Sequence, residues 1–173
     1  MYRLHFAGRL FAWALIALMA VGCLISGTFV IIVDLPLTAT SGYYWCQVDV
    51  TTKQAWADHK DDIDQIDAIG LDLWMTNADS VPVTINVNVA DYSDGRPMSP
   101  GLATNIYQLT VNPGADQHIT YAQSLALIRN TDRLKALVKT GKFNVEMNST
   151  VNLGSTFTVD SGKVIITFSA SGS

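Results

Sequence analysis

The stretch VTINVNVA, residues 83–90, constrains this chain more than any other. Val83, Ile85, Val87 and Val89 alternate with Thr84, Asn86, Asn88 and Ala90. A repeat of two is the period of an extended strand, whose successive side chains point to opposite faces. Its clean alternation predicts one buried face and one wet face, the pattern of an antiparallel sheet packed on one side. Pro82 cannot donate to a ladder, so the strand is expected at a sheet edge or a bulge.

The same grammar recurs along the chain. Leu71, Leu73 and Met75 oppose Asp72, Trp74 and Thr76, and Tyr44, Cys46, Val48 and Val50 oppose Tyr43, Trp45, Gln47 and Asp49. TFVIIVDLP and GYYWCQVDV read as two strands in a hairpin-like arrangement. TNIYQLTV adds another strand, QHITYAQSLALI a strand running into a helical turn, and KFNVEMNSTV and GKVIITFSAS close the chain. Two segments read as short helices instead. In TTKQAWADHKDDIDQIDAIG the apolar Trp56, Ile63 and Ile66 recur at helical spacing. In NTDRLKALVKTG, Asn130 or Thr131 caps the start, Leu134 and Leu137 face inward, and Gly141 stops the helix. Of 15 acidic residues only Glu146 is a glutamate, and aspartate favours turns and caps over helix interiors. About eight strands with two short helices in connections predict one mainly β domain, an antiparallel β-sandwich.

The N-terminus carries a different message. MYRLHFAGR holds Arg3 and Arg9, and Leu10–Gly22 is a run of about 13 apolar residues, the length of a signal-peptide core. Ala20-Val21-Gly22 offers small residues for cleavage, and the AVGC that follows resembles the lipobox of bacterial lipoproteins, with Ala20 where that family prefers Leu, Val or Ile. The resemblance implies a diacylglycerol on Cys23 and a signal peptide over residues 1–22, leaving 23–173 as the domain. Alternatively, the uncharged stretch 10–33 is long enough to serve as a membrane anchor. Ser26-Gly27 interrupts it, and TFVIIV is β-branched, which favours cleavage and a first strand there. Plain secretion is a third reading; all three place the domain outside the cytoplasm, and the two anchored ones in a bacterial cell envelope. LDLWMTNADSVPVTINVNV, where an Asn follows one strand and Pro-Val opens the next, is also similar to the paired strands of the LEA-14/water-stress-hypersensitivity domain. That likeness implies an immunoglobulin-like or LEA-14-like sandwich.

Candidate chemistry is sparse. The acidic cluster Asp58, His59, Asp61, Asp62, Asp64 and Asp67, with Asp91 and Asp94 in the following loop, offers oxygen ligands suited to Ca²⁺. It lacks the central Gly and final Glu of a calcium loop, and a solvated helix face explains it as well. Asp116 and His118 form an acid–histidine pair near Ser124, without the strained nucleophile turn that hydrolysis needs. Cys46 falls mid-strand, where a thiol is structural. Tyr43, Trp45 and Trp74 point away from the aliphatic faces and could stack on sugars. The net charge is −4, or about −6 without Arg3 and Arg9, and no basic run exists; nucleic acid is not the expected partner. Asn148 opens an N-x-S/T sequon. The sequence thus reads as a non-enzymatic, membrane-anchored envelope protein without cofactor, acting as an interaction or structural module with the membrane and an envelope protein as partners. The alternative is an extracytoplasmic protein that binds Ca²⁺ or a glycan.

Overall fold

A computed structural model describes residues 27–36, 38–40, 43–93, 102–149 and 156–170, and they form a mainly β fold of two antiparallel sheets. In chain order the strands are β1 (Gly27–Asp34), β2 (Thr38–Thr40), β3 (Tyr43–Asp49), β4 (Ile63–Asn77), β5 (Val83–Asp91), β6 (Thr104–Val111), β7 (Ala115–Ile119), β8 (Lys142–Ser149) and β9 (Phe157–Ala170). Three short helices join them: α1 (Gln54–His59), α2 (Tyr121–Leu125) and α3 (Thr131–Thr140). One sheet runs β1-β9-β4-β7 and the other β2-β3-β8-β5-β6. Their inner faces meet in a β-sandwich, as the alternating segments predict.

The core follows from the alternation. Val83, Ile85, Val87 and Val89 of β5 are fully buried, against Leu71, Leu73 and Met75 of β4 and Val164, Ile166 and Phe168 of β9. Each such side chain contributes roughly 1.5–3 kcal/mol on leaving water. Chain crossings between the sheets need polar anchors, and Asn77 supplies one. Its fully buried amide donates to the carbonyls of Val81, Val111 and Asn112, and its oxygen accepts from the Asp79 N–H at 2.9 Å. This fastens the passage from β4 in one sheet to β5 in the other.

Several expectations change at the level of pairing. TFVIIV is strand β1, but it does not form a hairpin with GYYWCQVDV. It pairs with β9 from Gly27–Ala170 to Asp34–Lys163, and the short β2 is the hairpin partner of β3. Pro82 lies just before β5, which is an interior strand between β8 and β6, so the proline forfeits no ladder bond. Part of the segment expected to link the last two strands belongs to the long strand β9.

The predicted amphipathic helix is the largest correction. Only Gln54–His59 is helical; Ile63, Ile66 and their neighbours begin β4. Register shifts at Ile63/Gln65 and Ile66/Ala68 insert extra residues, so apolar side chains three apart all turn toward the core of a strand. Trp56, the one buried residue of α1, still packs against the core.

N-terminal to Leu73, β7 does not accompany β4, and α2 takes its place. Thr120 and Gln123 form a capping box at its start. Ser124 then accepts the Leu71 N–H at 2.8 Å and donates to the Tyr121 carbonyl at 2.8 Å. The approach is close enough to require glycine: a Cβ at Gly70 would lie 2.4 Å from the Tyr121 ring. Helix α3 spans the next stretch with Leu134, Leu137 and Val138 inward, and Gly141 ends it at φ 85°. Asn130 precedes it in the left-handed region, but its side chain donates to the Asn105 carbonyl at 2.7 Å and not to the helix.

Candidate functional site

Among the described residues, the sandwich carries its polar side chains on three surfaces. The first is the outer face of the four-stranded sheet. Trp74 on β4 and His118 on β7 are cross-strand partners, and their rings stack with centroids 3.9 Å apart and planes 13° off parallel. His118 Nε2 lies 3.1 Å from Asp72 Oδ1, while 47% of Trp74 remains exposed. The acid that meets His118 is therefore Asp72, two residues along β4, and not Asp116. Ser124, the third member considered from sequence, is fully buried and spends its hydroxyl on Leu71 and Tyr121.

The acidic segment is taken apart by the fold. Asp58 and His59 end α1, Asp61 and Asp62 lie in the turn, and Asp64 and Asp67 belong to β4. His59 packs its ring 3.9 Å from that of Phe29 on β1. Asp58 accepts from Gln54 at 2.6 Å, and Asp67 from Gln65 and Ser169 at 2.7 Å. Asp91 pairs with Arg133 at 2.8 Å. No group of three His, Cys, Asp or Glu residues among those described is arranged to hold a metal. Asp94 and the lipid-site Cys23, with the rest of residues 1–26, lie outside the described residues.

The aromatic candidates do not form one platform. Tyr43 and Trp45 are on β3 of the five-stranded sheet, and Trp74 is on β4 of the other. The inward face of β3 buries Cys46, and burial pushes its thiol up to about 12, far from a nucleophile's range. At the far end of β3, burial draws the Asp49 carboxyl upward. Hydrogen bonds from Lys142, 2.7 Å away, and Thr51 outweigh this and hold it below the usual carboxylate range.

The second surface is a groove between β4 and α3. Two adjoining depressions, about 290 and 320 Å³, are lined by Ile69, Leu125, Ile128 and Leu134 and by Gln65, Ile66 and Ala136, with Lys135 shared between them. Here β7 has ended, and no described strand pairs with that edge of β4.

The third surface, the outer face of the five-stranded sheet, escaped sequence reasoning. The register sets Gln108, Asn86 and Asn148 abreast across β6, β5 and β8, and Asn105, Asn88 and Glu146 abreast beside them. Gln108 donates to Asn86 at 3.0 Å, Asn86 to Asn148 at 3.2 Å, and Asn148 to Glu146 at 3.3 Å. Asn105 donates to Asn88 at 3.1 Å, and the hydroxyls of Thr84 and Thr110 meet at 3.0 Å. The asparagines on the polar side of β5 were the available signal, although of the two Asn86 is half-buried and Asn88 is buried. Their neighbours on β6 and β8 come together only through strand order.

No protein-family model matches the sequence, and neither does any curated protein. Among solved structures, the chain is similar to one from infectious bursal disease virus, Gx strain, with 10% identity over 82% of this chain and a TM-score of 0.34. It spans about a third, 32%, of that viral chain.

Proposed function

We propose that this chain is a non-enzymatic, membrane-tethered protein of the cell envelope, attached through lipid on Cys23, whose sandwich is an interaction or structural module. The observation that carries the reading is the position of β1. Gly27–Asp34 is paired with β9 along its whole length, so TFVIIV belongs to the sheet, which supports the reading in which a signal peptide ends before it. Leu10–Gly22 then has the length of a signal-peptide core, and only three residues, Leu24 to Ser26, separate Cys23 from the first strand. The four residue-to-residue steps from Cys23 to Gly27 reach about 14 Å at most. A lipid at Cys23 holds the domain close to the bilayer, and β1 exposes the apolar Val30 and Ile32 next to that tether.

Three details support a non-enzymatic role. The hydroxyl of Ser124 is committed to backbone partners inside the fold, the Cys46 thiol is buried, and Trp74 covers one face of His118. The groove between β4 and α3 supports an interaction role, because its apolar lining of Ile66, Ile69, Leu125, Ile128 and Leu134 can receive an apolar partner segment. Among the described residues no helix is long and apolar enough to cross a membrane.

The test is the intact mass of membrane-extracted protein from a bacterial host, wild type beside Cys23→Ser. The expected wild-type mass is residues 23–173 plus acyl chains, absent in the variant. An uncleaved chain in both would overturn lipid anchoring.

A further inference from the structure

We propose that the outer face of the five-stranded sheet binds a neutral glycan chain, laid across β6, β5, β8 and β3 with Trp45 at one end. This goes beyond the tethering argument and does not depend on it. The register builds two parallel rows, Gln108, Asn86 and Asn148, then Asn105, Asn88, Glu146 and Trp45; in the second, Asn88 is itself buried at 7% exposure and serves as the acceptor that orients Asn105. Thr84 and Thr110 extend the surface on one side.

Three physical features select the ligand. The first is hydrogen-bonding capacity. A side-chain amide has two donor hydrogens and two acceptor lone pairs. Asn86 uses one acceptor for Gln108 and one donor for Asn148, which leaves a donor and an acceptor on the same group. A sugar hydroxyl both gives and takes a hydrogen bond, so a row of such amides complements a row of hydroxyls. The contacts between the amides also fix their orientation before binding, which reduces the ordering cost.

The second feature is charge. Glu146 is the one charged side chain among Gln108, Asn86, Asn148, Asn105, Asn88, Glu146, Thr84 and Thr110, although the chain carries −4 overall. A sheet face left to water usually carries lysines and other charges. The charges at the far end of β3 and β8, Asp49 and Lys142, pair with each other at 2.7 Å, so the amide rows themselves offer no counter-charge for a phosphate, a nucleic acid or an anionic polymer.

The third feature is spacing and shape. Neighbouring strands are about 4.8 Å apart, so the row of Gln108, Asn86 and Asn148 presents one polar group per length comparable to a pyranose ring. Half-buried Trp45 offers an aromatic surface for a ring at the β3 end of its row. A hydroxyl-rich chain running across the strands meets all three.

The experiment is affinity electrophoresis of the detergent-solubilised full chain through native gels holding hydroxyethyl cellulose, galactomannan or dextran, with alginate as the anionic comparison. Retardation by at least one neutral polymer is expected, with alginate without effect. Asn86→Ala/Asn148→Ala should weaken it at least tenfold. Gln108→Ala, at an exposed position that leaves folding intact, should weaken it severalfold. Glu146→Gln should retain it, and so should Trp74→Ala on the opposite sheet. Migration unchanged by all three neutral polymers, retardation by alginate alone, or equal retardation of wild type and Gln108→Ala would overturn the proposal.

Discussion

Replacing Ser124 with alanine tests how the open edge of β4 is closed. The Leu71 N–H lies one step beyond the last β4–β7 pair, Leu73–Ile119, and its partner is the Ser124 hydroxyl at 2.8 Å. Ser124 is fully buried, and alanine is smaller by one oxygen, so the packing change is small. The effect is therefore dominated by a buried amide left without an acceptor, at about 1–3 kcal/mol. Taking the middle of that range and an urea m-value of about 2 kcal/mol/M, the unfolding midpoint falls by about 1 M. Urea denaturation followed by tryptophan fluorescence measures this, and hydrogen exchange at Leu71 localises it. Tyr107→Phe is the matched control. The Tyr107 hydroxyl is buried and, among the described residues, lacks a hydrogen-bond partner, so its removal should change stability by less than about 0.5 kcal/mol or raise it. A Ser124→Ala protein within about 0.5 kcal/mol of wild type would refute the reasoning, because the amide would then be reaching water and α2 would not be sealing the edge.

In a Cys23→Ser background, Cys46 should resist a thiol reagent at pH 8 until denaturant is added, since its thiol is pushed up to about 12 by burial; rapid native labelling would contradict that burial. Acid should weaken the fold partly through Asp49, whose folded pKa lies below its unfolded value of about 3.9. The unfolded chain takes the proton first, so this contribution is present above that value and is lost as pH falls through the folded one. Asp49→Asn should remove the contribution, which is under about 1 kcal/mol because the pair with Lys142 is solvent-screened. An unchanged slope of stability against pH below pH 4 would count against the pair.

Faces were legible in the sequence and partners were not. Alternation identified the inward sides of β3, β5 and the second half of β4, because period two depends only on each strand's own pleat. The same signal assigns no neighbour, which is why β1 was expected beside β3 and lies beside β9 in the other sheet. The start of β4 misled for a specific reason. Bulges place Ile63, Ile66 and Ile69 three residues apart, and that spacing is the signature of a helix face. Once the segment is strand, its aspartates separate, and the cluster that suggested Ca²⁺ no longer converges. The amide rows were hidden in a similar way. Gln108, Asn86 and Asn148 are far apart in sequence, and only the order β6-β5-β8 brings them abreast. Glycine 70 and Ser124 were equally silent, since a close approach between α2 and β4 leaves no periodic mark.

The pairing of β1 with β9 has a mechanical consequence. Tension from a tether enters the domain at Gly27, the end of an edge strand held by the eight register pairs from Gly27–Ala170 to Asp34–Lys163. A pull along the axis of β1 loads those rungs in shear, so they resist together. A pull across the axis opens them singly from Gly27, like a zip. The angle between β1 and the direction of pull therefore decides how much force the domain withstands before its first strand is drawn out.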